Sequence, residues 1–175
     1  MAIVPDTKDW TWVLERRCTE CGFDSTAVDA REVAALVREQ GETWAAILTS
    51  SDRARLRTRP TDDVWSPLEY ACHVRDVLRI ADRRVAIMLS DDDARFANWD
   101  QDATAVDDAY DAQDPAAVAS ELRAAAADLA RRLDGVDGGA WERSGARSDG
   151  ARFTVASFAR YVIHDPVHHL LDVGA

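Results

Sequence analysis

Four stretches of the chain repeat apolar residues at spacings of three, four and seven, which place those residues on one face of an α-helix. Polar residues fill most positions between them, as on the outer side of a helix that packs on a core. The pattern predicts four helices: from about Asp29 to Ser50, from Pro67 to about Leu89, from Pro115 to a stop at Gly135, and onward from Thr154 as N-cap.

The residues that open two of these helices support the prediction. Ser66 is a hydroxyl N-cap, Pro67 fits the first helical position, and Glu69 is placed to close a capping box. Asp114 followed by Pro115 repeats the pattern of a cap and then a proline. Four amphipathic helices, each with a narrow stripe to cover against two neighbours, predict an all-α fold, a four-helix bundle.

Long connections join the predicted helices. The loop over about residues 90–114 contains three aromatic side chains, which indicates that it packs back on the bundle. They are Phe96, Trp99 and Tyr110. Before the last helix, Asp149 and Gly150 lie between two short arms of alternating polarity and predict a small β-hairpin.

Length and composition favour one compact unit. A chain of 175 residues can bury a core without disulfide or metal staples. No internal repeat or low-complexity tract divides it. We expect residues 1–27 to form an N-terminal strap with a C-x-x-C motif and residues 28–175 to form the bundle.

The charge balance limits the partners of the chain. Its 32 acidic and 21 basic residues give a formal net charge of -11, which repels phosphate backbones and argues against nucleic-acid binding. No apolar run approaches the roughly 18 residues of a membrane span, and the start, MAIVPDTKDW, lacks the pattern of a signal peptide. Three cysteines, an odd number, argue against a secreted disulfide framework. We therefore expect a cytoplasmic protein without membrane or nucleic-acid partners.

The histidines are concentrated in the last predicted helix, in the stretch YVIHDPVHHLLDV, where three of the four in the chain occur. His164 and His168 are four residues apart, so both imidazoles fit beside one cation. His73 lies on the inner face of the second predicted helix and supplies a third ligand. Three protein ligands with an open position are typical of a catalytic zinc site. The sequence therefore predicts a metal site made of His73, His164 and His168.

Alternatives to this ligand set remain open at the level of sequence. A histidine on an apolar face is often a hydrogen-bonded core residue rather than a ligand. We interpret His169 as a packing or outer-sphere residue. Pro166 interrupts the backbone bonding of the helix between the two ligands, so that Asp165 or His169 could replace one of them. Asp76 and Asp165 are further candidates to orient the ligands.

Cys18 and Cys21 form a C-x-x-C-G motif, which is half of a zinc knuckle. With Cys72 as the only other cysteine, a site of four cysteines within one chain is impossible. The alternatives are a reduced pair without metal, a redox-active pair, or a site shared between two chains. We favour the pair without metal. Trp10 and Trp12 are expected to hold this segment on the bundle.

Several motifs together resemble the DinB-like superfamily, which includes thiol-dependent maleylpyruvate isomerases and related thiol S-transferases. The resemblance covers about residues 28–173. Its motifs are WSPLEYACH at the second helix, FANWDQD in the long loop, the Asp-Gly hairpin with Phe153, and HDPVHHLLDV in the last helix.

The resemblance implies a four-helix bundle with one divalent metal, zinc or nickel, held by His73, His164 and His168. It further implies a metal-dependent transferase or isomerase that activates a low-molecular-weight thiol such as mycothiol, or a water, and uses an electrophilic substrate. Thiol and substrate are expected to enter past Trp99 and Asp100, and protomers to pair as homodimers. No general base is identified. The alternative functions are a non-catalytic metal-binding dimer with a stress-related or regulatory role, and a helical domain whose histidines only pack.

Overall fold

The computed structural model describes residues 9–175, so the first eight residues of the predicted strap lie outside the described part of the chain. Residues 9–175 form six α-helices and three short strands. The helices are α1 (Val33–Ser50), α2 (Arg53–Arg57), α3 (Pro67–Ser90), α4 (Gln101–Asp107), α5 (Pro115–Asp134) and α6 (Val155–Asp172). The strands are β1 (Ala94–Phe96), β2 (Ser144–Arg147) and β3 (Arg152–Thr154).

The four long helices form a bundle, as the apolar pattern predicted. Helix α1 packs on α5, α5 on α3, α3 on α6, and α6 returns to α1, so that each helix has two neighbours. Each contributes side chains to one continuous buried core. Fully buried examples are Trp44, Leu78, Leu122 and Phe158. The prediction of an all-α bundle is confirmed.

The predicted capping residues start the helices as expected. At α3 the Glu69 carboxylate accepts from the backbone N–H of Ser66 at 2.8 Å, while the Ser66 hydroxyl accepts from the N–H of Glu69, which completes the capping box. Asp114 accepts from two backbone N–H groups at the start of α5. Thr154 and Ser157 form a second capping box at α6. These side chains accept hydrogen bonds from backbone N–H groups that have no partner within the helix.

A three-stranded sheet of order β1-β2-β3 covers one end of the bundle. Strands β2 and β3 are the predicted hairpin, and Gly150, with φ of 99°, adopts the left-handed backbone of its turn. Strand β1 pairs in parallel with β2 and was not predicted. It belongs to the long loop, which packs back on the bundle with Phe96 and Tyr110 buried, as its aromatic residues indicated. The short helices α2 and α4 were not predicted either.

The N-terminal segment, residues 9–32, lies along α6. Three 3-10 turns, Trp10–Leu14, Ser25–Ala27 and Ala30–Glu32, contact that helix. Trp10 stacks on Trp12 with 5.7 Å between ring centres. None of the described helices has both the length and the apolarity of a membrane span.

Candidate metal centre

Two adjacent faces of α6 carry ionisable side chains in pairs four residues apart. His164 and His168 share one face, and Asp165 and His169 share the next, because each residue advances about 100° around a helix. The second face is turned toward α3 and the first toward the N-terminal segment. The histidines therefore belong to two groups rather than one.

The group between α3 and α6 consists of His73, Asp165 and His169, which we call the His-Asp-His centre. One ligand atom from each residue lies within 4.8 Å of the other two. The Nε2 atom of His73 is 3.3 Å from Asp165 Oδ2, and the Nε2 atom of His169 is 3.7 Å from the same oxygen. Three donors from two helices thus converge on a small volume.

Neighbouring side chains orient the imidazoles of this centre. The Asp172 carboxylate lies 2.7 Å from Nδ1 of His169 and accepts a hydrogen bond from an Nδ1–H group, which leaves the Nε2 lone pair of His169 directed at the centre. Trp99 stacks on His73 with 5.4 Å between ring centres and an angle of 11° between the planes. Tyr70 contacts the ring of His169. A carboxylate behind a histidine is the usual support of a metal-ligating imidazole.

The donor chemistry of the His-Asp-His centre fits a divalent metal. Burial opposes ionisation of Asp165, but its electrostatic interactions with the His73 and His169 rings outweigh it and lower the pKa of this carboxyl to about 2, so it is anionic at neutral pH. Among the described residues, Asp165 Oδ1 and His73 Nδ1 are buried polar atoms without a hydrogen-bond partner. Two imidazoles and one carboxylate are a donor set that zinc and ferrous iron use.

The second group consists of Cys18, Cys21, His164 and His168, whose ligand atoms also lie within 4.8 Å of one another. The Sγ atom of Cys18 is 3.7 Å from Nδ1 of His168, and the Sγ atom of Cys21 is 3.6 Å from Nε2 of His164. Burial and the charge of His168 lower the pKa of His164 to about 4, and burial and the charge of His169 lower that of His168. Both imidazoles are therefore neutral at pH 7.

The structure divides the predicted ligand set of His73, His164 and His168. His73 lies with Asp165 and His169, the two residues considered as replacements because of Pro166. Helix α6 continues through Pro166. The division follows from helix geometry, since residues 164 and 168 face about 100° away from residues 165 and 169.

Asp76, a candidate to orient the ligands, lies in another network. It accepts two hydrogen bonds from Arg75 and one from the Tyr110 hydroxyl at 2.6 Å. The network lies at the α5 side of α3, where Arg75 also pairs with Glu121. This placement leaves Asp76 as a core ion-pair residue.

The pairing of the cysteines with α6 was missed by the sequence analysis, which counted only cysteines as partners for Cys18 and Cys21. The signal was present in the sequence. A C-x-x-C motif and an H-x-x-x-H motif together supply four ligands, but residues 21 and 164 are far apart in the chain.

A cavity of about 620 Å³ opens beside the His-Asp-His centre, between α3, α6 and the loop before α4. Trp99 and Asp100, the predicted pocket residues, both line it. The Asp100 carboxylate is occupied as the N-cap of α4, where it accepts from the N–H of Ala103 at 2.9 Å. The Trp99 ring, by contrast, stacks on His73 at the cavity.

Two arginines form another wall of this cavity. Arg147 pairs with Asp149 at 2.8 Å and donates to the Tyr161 hydroxyl at 3.2 Å. Arg84 donates to the carbonyl of Ala97, and burial together with the charge of Arg147 lowers its pKa to about 10, so it stays cationic at neutral pH. This wall therefore places one guanidinium without an ion-pair partner among the described residues, that of Arg84, at a cavity that Asp9, Asp100 and Asp102 also line.

Comparison with known proteins gives one family and one fold. A sequence model of the family described as the DinB superfamily matches residues 11–173. No curated protein sequence matches the chain. Among solved structures, the chain is similar to one described as "YfiT from Bacillus subtilis is a probable metal-dependent hydrolase with an unusual four-helix bundle topology". The TM-score is 0.65 at 15% identity, and the match covers 99% of this chain and 92% of that one. At this identity the likeness shows the fold.

Proposed function

The chain belongs to the DinB superfamily, whose model matches residues 11–173, and we propose that it is a metal-dependent enzyme with His73, Asp165 and His169 as ligands. The observation that carries the proposal is the convergence of these three donors at the cavity. The description of YfiT as a probable metal-dependent hydrolase supports a catalytic role for a metal in this fold. We propose zinc or nickel as the ion. The Asp165 carboxylate favours divalent cations that bind oxygen ligands.

The ion supplies Lewis-acid chemistry, since a divalent cation with an open position lowers the pKa of a bound thiol or water to near neutrality. The side chains of the protein do the rest. Asp172 fixes the tautomer of His169, and Asp165 contributes the negative charge that offsets part of the charge of the ion. Trp99 covers His73 and restricts water on that side.

Arg84 is the basis on which we propose an anionic substrate. Arg84 and Arg147 both line the cavity, and Asp149 neutralises one of these two positive charges. A carboxylate-bearing electrophile bound to Arg84 would share the cavity with the His-Asp-His centre, because both line it. We propose a reaction between this electrophile and a low-molecular-weight thiol such as mycothiol, as transfer or isomerisation.

Metal binding and turnover test the proposal. Untagged protein is loaded with zinc or nickel and incubated with mycothiol, bacillithiol or no thiol and a panel of carboxylate-bearing electrophiles, and products are identified by mass spectrometry. We expect thiol-dependent products with the wild type and none with Asp165→Ala. Arg84→Gln is expected to raise KM for anionic electrophiles with little change in kcat, since it removes binding that is equal in ground and transition states.

The outcomes separate the alternatives. Product formation without thiol indicates activation of water and hence hydrolysis. Metal that is bound, and lost in Asp165→Ala, without any turnover favours the non-catalytic binding role. Metal content that is unchanged in both Asp165→Ala and His73→Ala contradicts the proposed ligand set. Homodimer formation and a cytoplasmic location remain predictions from the sequence, and the metal centre requires neither.

A further inference from the structure

We propose that Cys18, Cys21, His164 and His168 bind a zinc ion that fastens the N-terminal segment to α6. This site is separate from the His-Asp-His centre and shares no ligand with it. Its role is structural: it holds one wall of the cavity in place. We call it the Cys2His2 site.

The distances between the donors match a tetrahedral zinc ion. With Zn–S of about 2.3 Å and Zn–N of about 2.0–2.1 Å, a tetrahedron places sulfur and nitrogen donors about 3.6 Å apart. The two sulfur–nitrogen distances are 3.6 Å, from Cys21 to His164, and 3.7 Å, from Cys18 to His168. A disulfide does not account for the arrangement, because both cysteines are free and both sulfurs face imidazole nitrogens.

The backbone around the two cysteines is folded to bring both sulfurs to one side. The N–H of Gly22 donates to the carbonyl of Cys18 at 3.0 Å, and the N–H of Cys18 donates to the carbonyl of Phe23 at 2.8 Å. Gly22 has φ of 78°, a left-handed conformation that a residue with a side chain rarely adopts. The turn is therefore specific to the C-x-x-C-G sequence, and it presents the thiols to α6.

The imidazoles are held in the orientation that ligation needs. His168 faces Cys18 with Nδ1, and its other nitrogen, Nε2, lies 3.5 Å from the Glu20 carboxylate. A proton on Nε2 is attracted by that carboxylate, which leaves the lone pair of Nδ1 for a metal. His164 faces Cys21 with Nε2. In each of the two groups on α6, one histidine therefore has a carboxylate beside the ring nitrogen that does not face the other donors.

Burial distinguishes this group from a chance cluster on the surface. Cys18 is 1% exposed, His164 4% and His168 7%. Trp10 packs on both imidazoles, with ring centres 5.5 Å from His164 and 4.9 Å from His168. Four protein ligands leave no position for substrate, which is typical of structural rather than catalytic zinc.

The charges balance when zinc binds. The S–H bonds of Cys18 and Cys21 break, two Zn–S bonds form, and both protons pass to solvent. One dication and two thiolates then sum to zero, and both histidines bind as neutral ligands. A buried site without net charge avoids most of the cost of burying an ion.

The site explains how an N-terminal segment with few buried side chains reaches the cavity. Asp9 and Trp10 line the cavity beside His164 and His168. Between residues 9 and 28 only Val13, Cys18 and Ser25 are buried. Because this segment buries little apolar surface, a zinc ion that joins Cys18 and Cys21 to α6 would hold this wall of the cavity in place.

Cobalt(II) tests the proposal, because a thiolate bound to cobalt gives a charge-transfer absorption that nitrogen and oxygen ligands do not give. Reduced, untagged, full-length protein is loaded with cobalt(II) and its spectrum recorded. We expect a thiolate-to-cobalt band and tetrahedral visible bands, both displaced by zinc. The thiolate band is lost in the Cys18→Ser/Cys21→Ser double variant and retained in His73→Ala, which changes only the His-Asp-His centre.

Cys72→Ala is the matched control, because Cys72 is a buried thiol that contacts Tyr110 and Gln113 rather than the α6 histidines. Its spectrum is expected to equal that of the wild type. Absence of a thiolate band in the reduced wild type overturns the proposal, as does an unchanged band in the double variant.

A measurement on the wild type alone covers the case in which the double variant does not fold. Thiol alkylation is followed by mass spectrometry with and without added zinc. Zinc is expected to protect Cys18 and Cys21 and to leave the labelling of Cys72 unchanged. Equal labelling of Cys18 and Cys21 under both conditions contradicts the site, and so does recovery of the pair as a disulfide after purification under reducing conditions.

Discussion

The Tyr110 hydroxyl donates to Asp76 at 2.6 Å in the interior between α3 and the long loop, and Arg75 binds the same carboxylate through two nitrogens. Burial opposes ionisation of Asp76, but the hydrogen bonds from Arg75 and Tyr110 outweigh it and hold its pKa below the ordinary value. The same environment raises the pKa of Tyr110 far above its usual range. The carboxylate therefore stabilises the fold in its charged form.

This network makes the free energy of unfolding depend on pH. A carboxyl with a lowered pKa in the folded state stabilises the protein above its unfolded pKa of about 3.9, and this contribution disappears as pH falls through the folded pKa. We expect Asp76→Asn to cost about 1–3 kcal/mol at pH 7 and less at pH 3, because the amide lacks the negative charge and keeps only one of the two oxygens that accept from Arg75 and Tyr110. Urea unfolding at both pH values measures the difference.

Asp107→Asn on α4 is the control, since it removes the same charge from an exposed position. It is expected to change the free energy of unfolding by less than about 0.5 kcal/mol. An Asp76→Asn cost that is equal at pH 7 and pH 3 would show that the charge of Asp76 is not what stabilises the fold.

The sequence predicted which residues are candidate metal ligands, but not which of them lie together. The sequence identified the histidines of α6, His73 and Asp165 as metal-binding candidates, since few ionisable side chains occur on apolar helix faces. It grouped His73 with His164 and His168, whereas His73 lies with Asp165 and His169, because two faces of one helix differ by a single residue. That assignment depends on which segment covers each face. Cys18 and Cys21 reach α6 through tertiary packing that no local pattern encodes.

At the scale of elements, α1 and α5 approach each other closely at Gly41. A Cβ atom added there would lie 2.5 Å from Cβ of Ala126. The glycine that weakens the helical pattern of α1 in the sequence is therefore required by the neighbouring helix. Small residues at this crossing allow the two backbones to pack without a gap.

Gly41→Ala is expected to lower the free energy of unfolding by about 1–3 kcal/mol, because the added methyl group forces the helices apart. The intrinsic helix preference of alanine, about 1 kcal/mol, acts in the opposite direction. Ala126→Gly in the same chain removes the clash, so the double variant should recover part of the loss. Denaturant unfolding of the four proteins gives the coupling energy.

Gly139→Ala provides the comparison, since a Cβ atom there meets no atom within 4 Å. It should leave stability nearly unchanged. If the effects of Gly41→Ala and Ala126→Gly on the free energy of unfolding add without coupling, contact between residues 41 and 126 is not the cause of the loss of stability.

The elements themselves were predictable to different degrees. The long helices follow from periodicity and capping residues, which act within a few positions of the chain. The hairpin follows from its Asp-Gly turn. Strand β1 was missed because its three residues gain partners only from β2, about fifty positions later in the chain. Short helices such as α2 lack a full period of apolar residues, so the pattern does not detect them.

At the scale of the whole molecule, stability is unevenly distributed. Helices α1, α3, α5 and α6 share one buried core, whereas the N-terminal segment buries few side chains and contacts chiefly α6. A chain of this length folds around its core without a metal staple. Removal of metal should therefore loosen one part of the molecule and leave the rest folded.

Hydrogen exchange with and without a strong chelator tests this division. We expect chelation to speed amide exchange in residues 10–28, while α1 and α5 keep their protection and the far-UV circular dichroism stays close to that of the loaded protein. The reason is that Cys18 and Cys21 reach α6 through the Cys2His2 site, whereas α1 and α5 pack on each other directly. The Cys18→Ser/Cys21→Ser variant should exchange fast in residues 10–28 with or without chelator.

His73→Ala separates the two metal centres in this experiment, because it changes the His-Asp-His centre and leaves all four ligands of the other site in place. Its residues 10–28 should respond to chelator as those of the wild type do. Faster exchange throughout α1 and α5 would mean that metal holds the entire bundle together, and unchanged protection of residues 10–28 would mean that aromatic packing by Trp10 and Trp12 holds the segment without an ion.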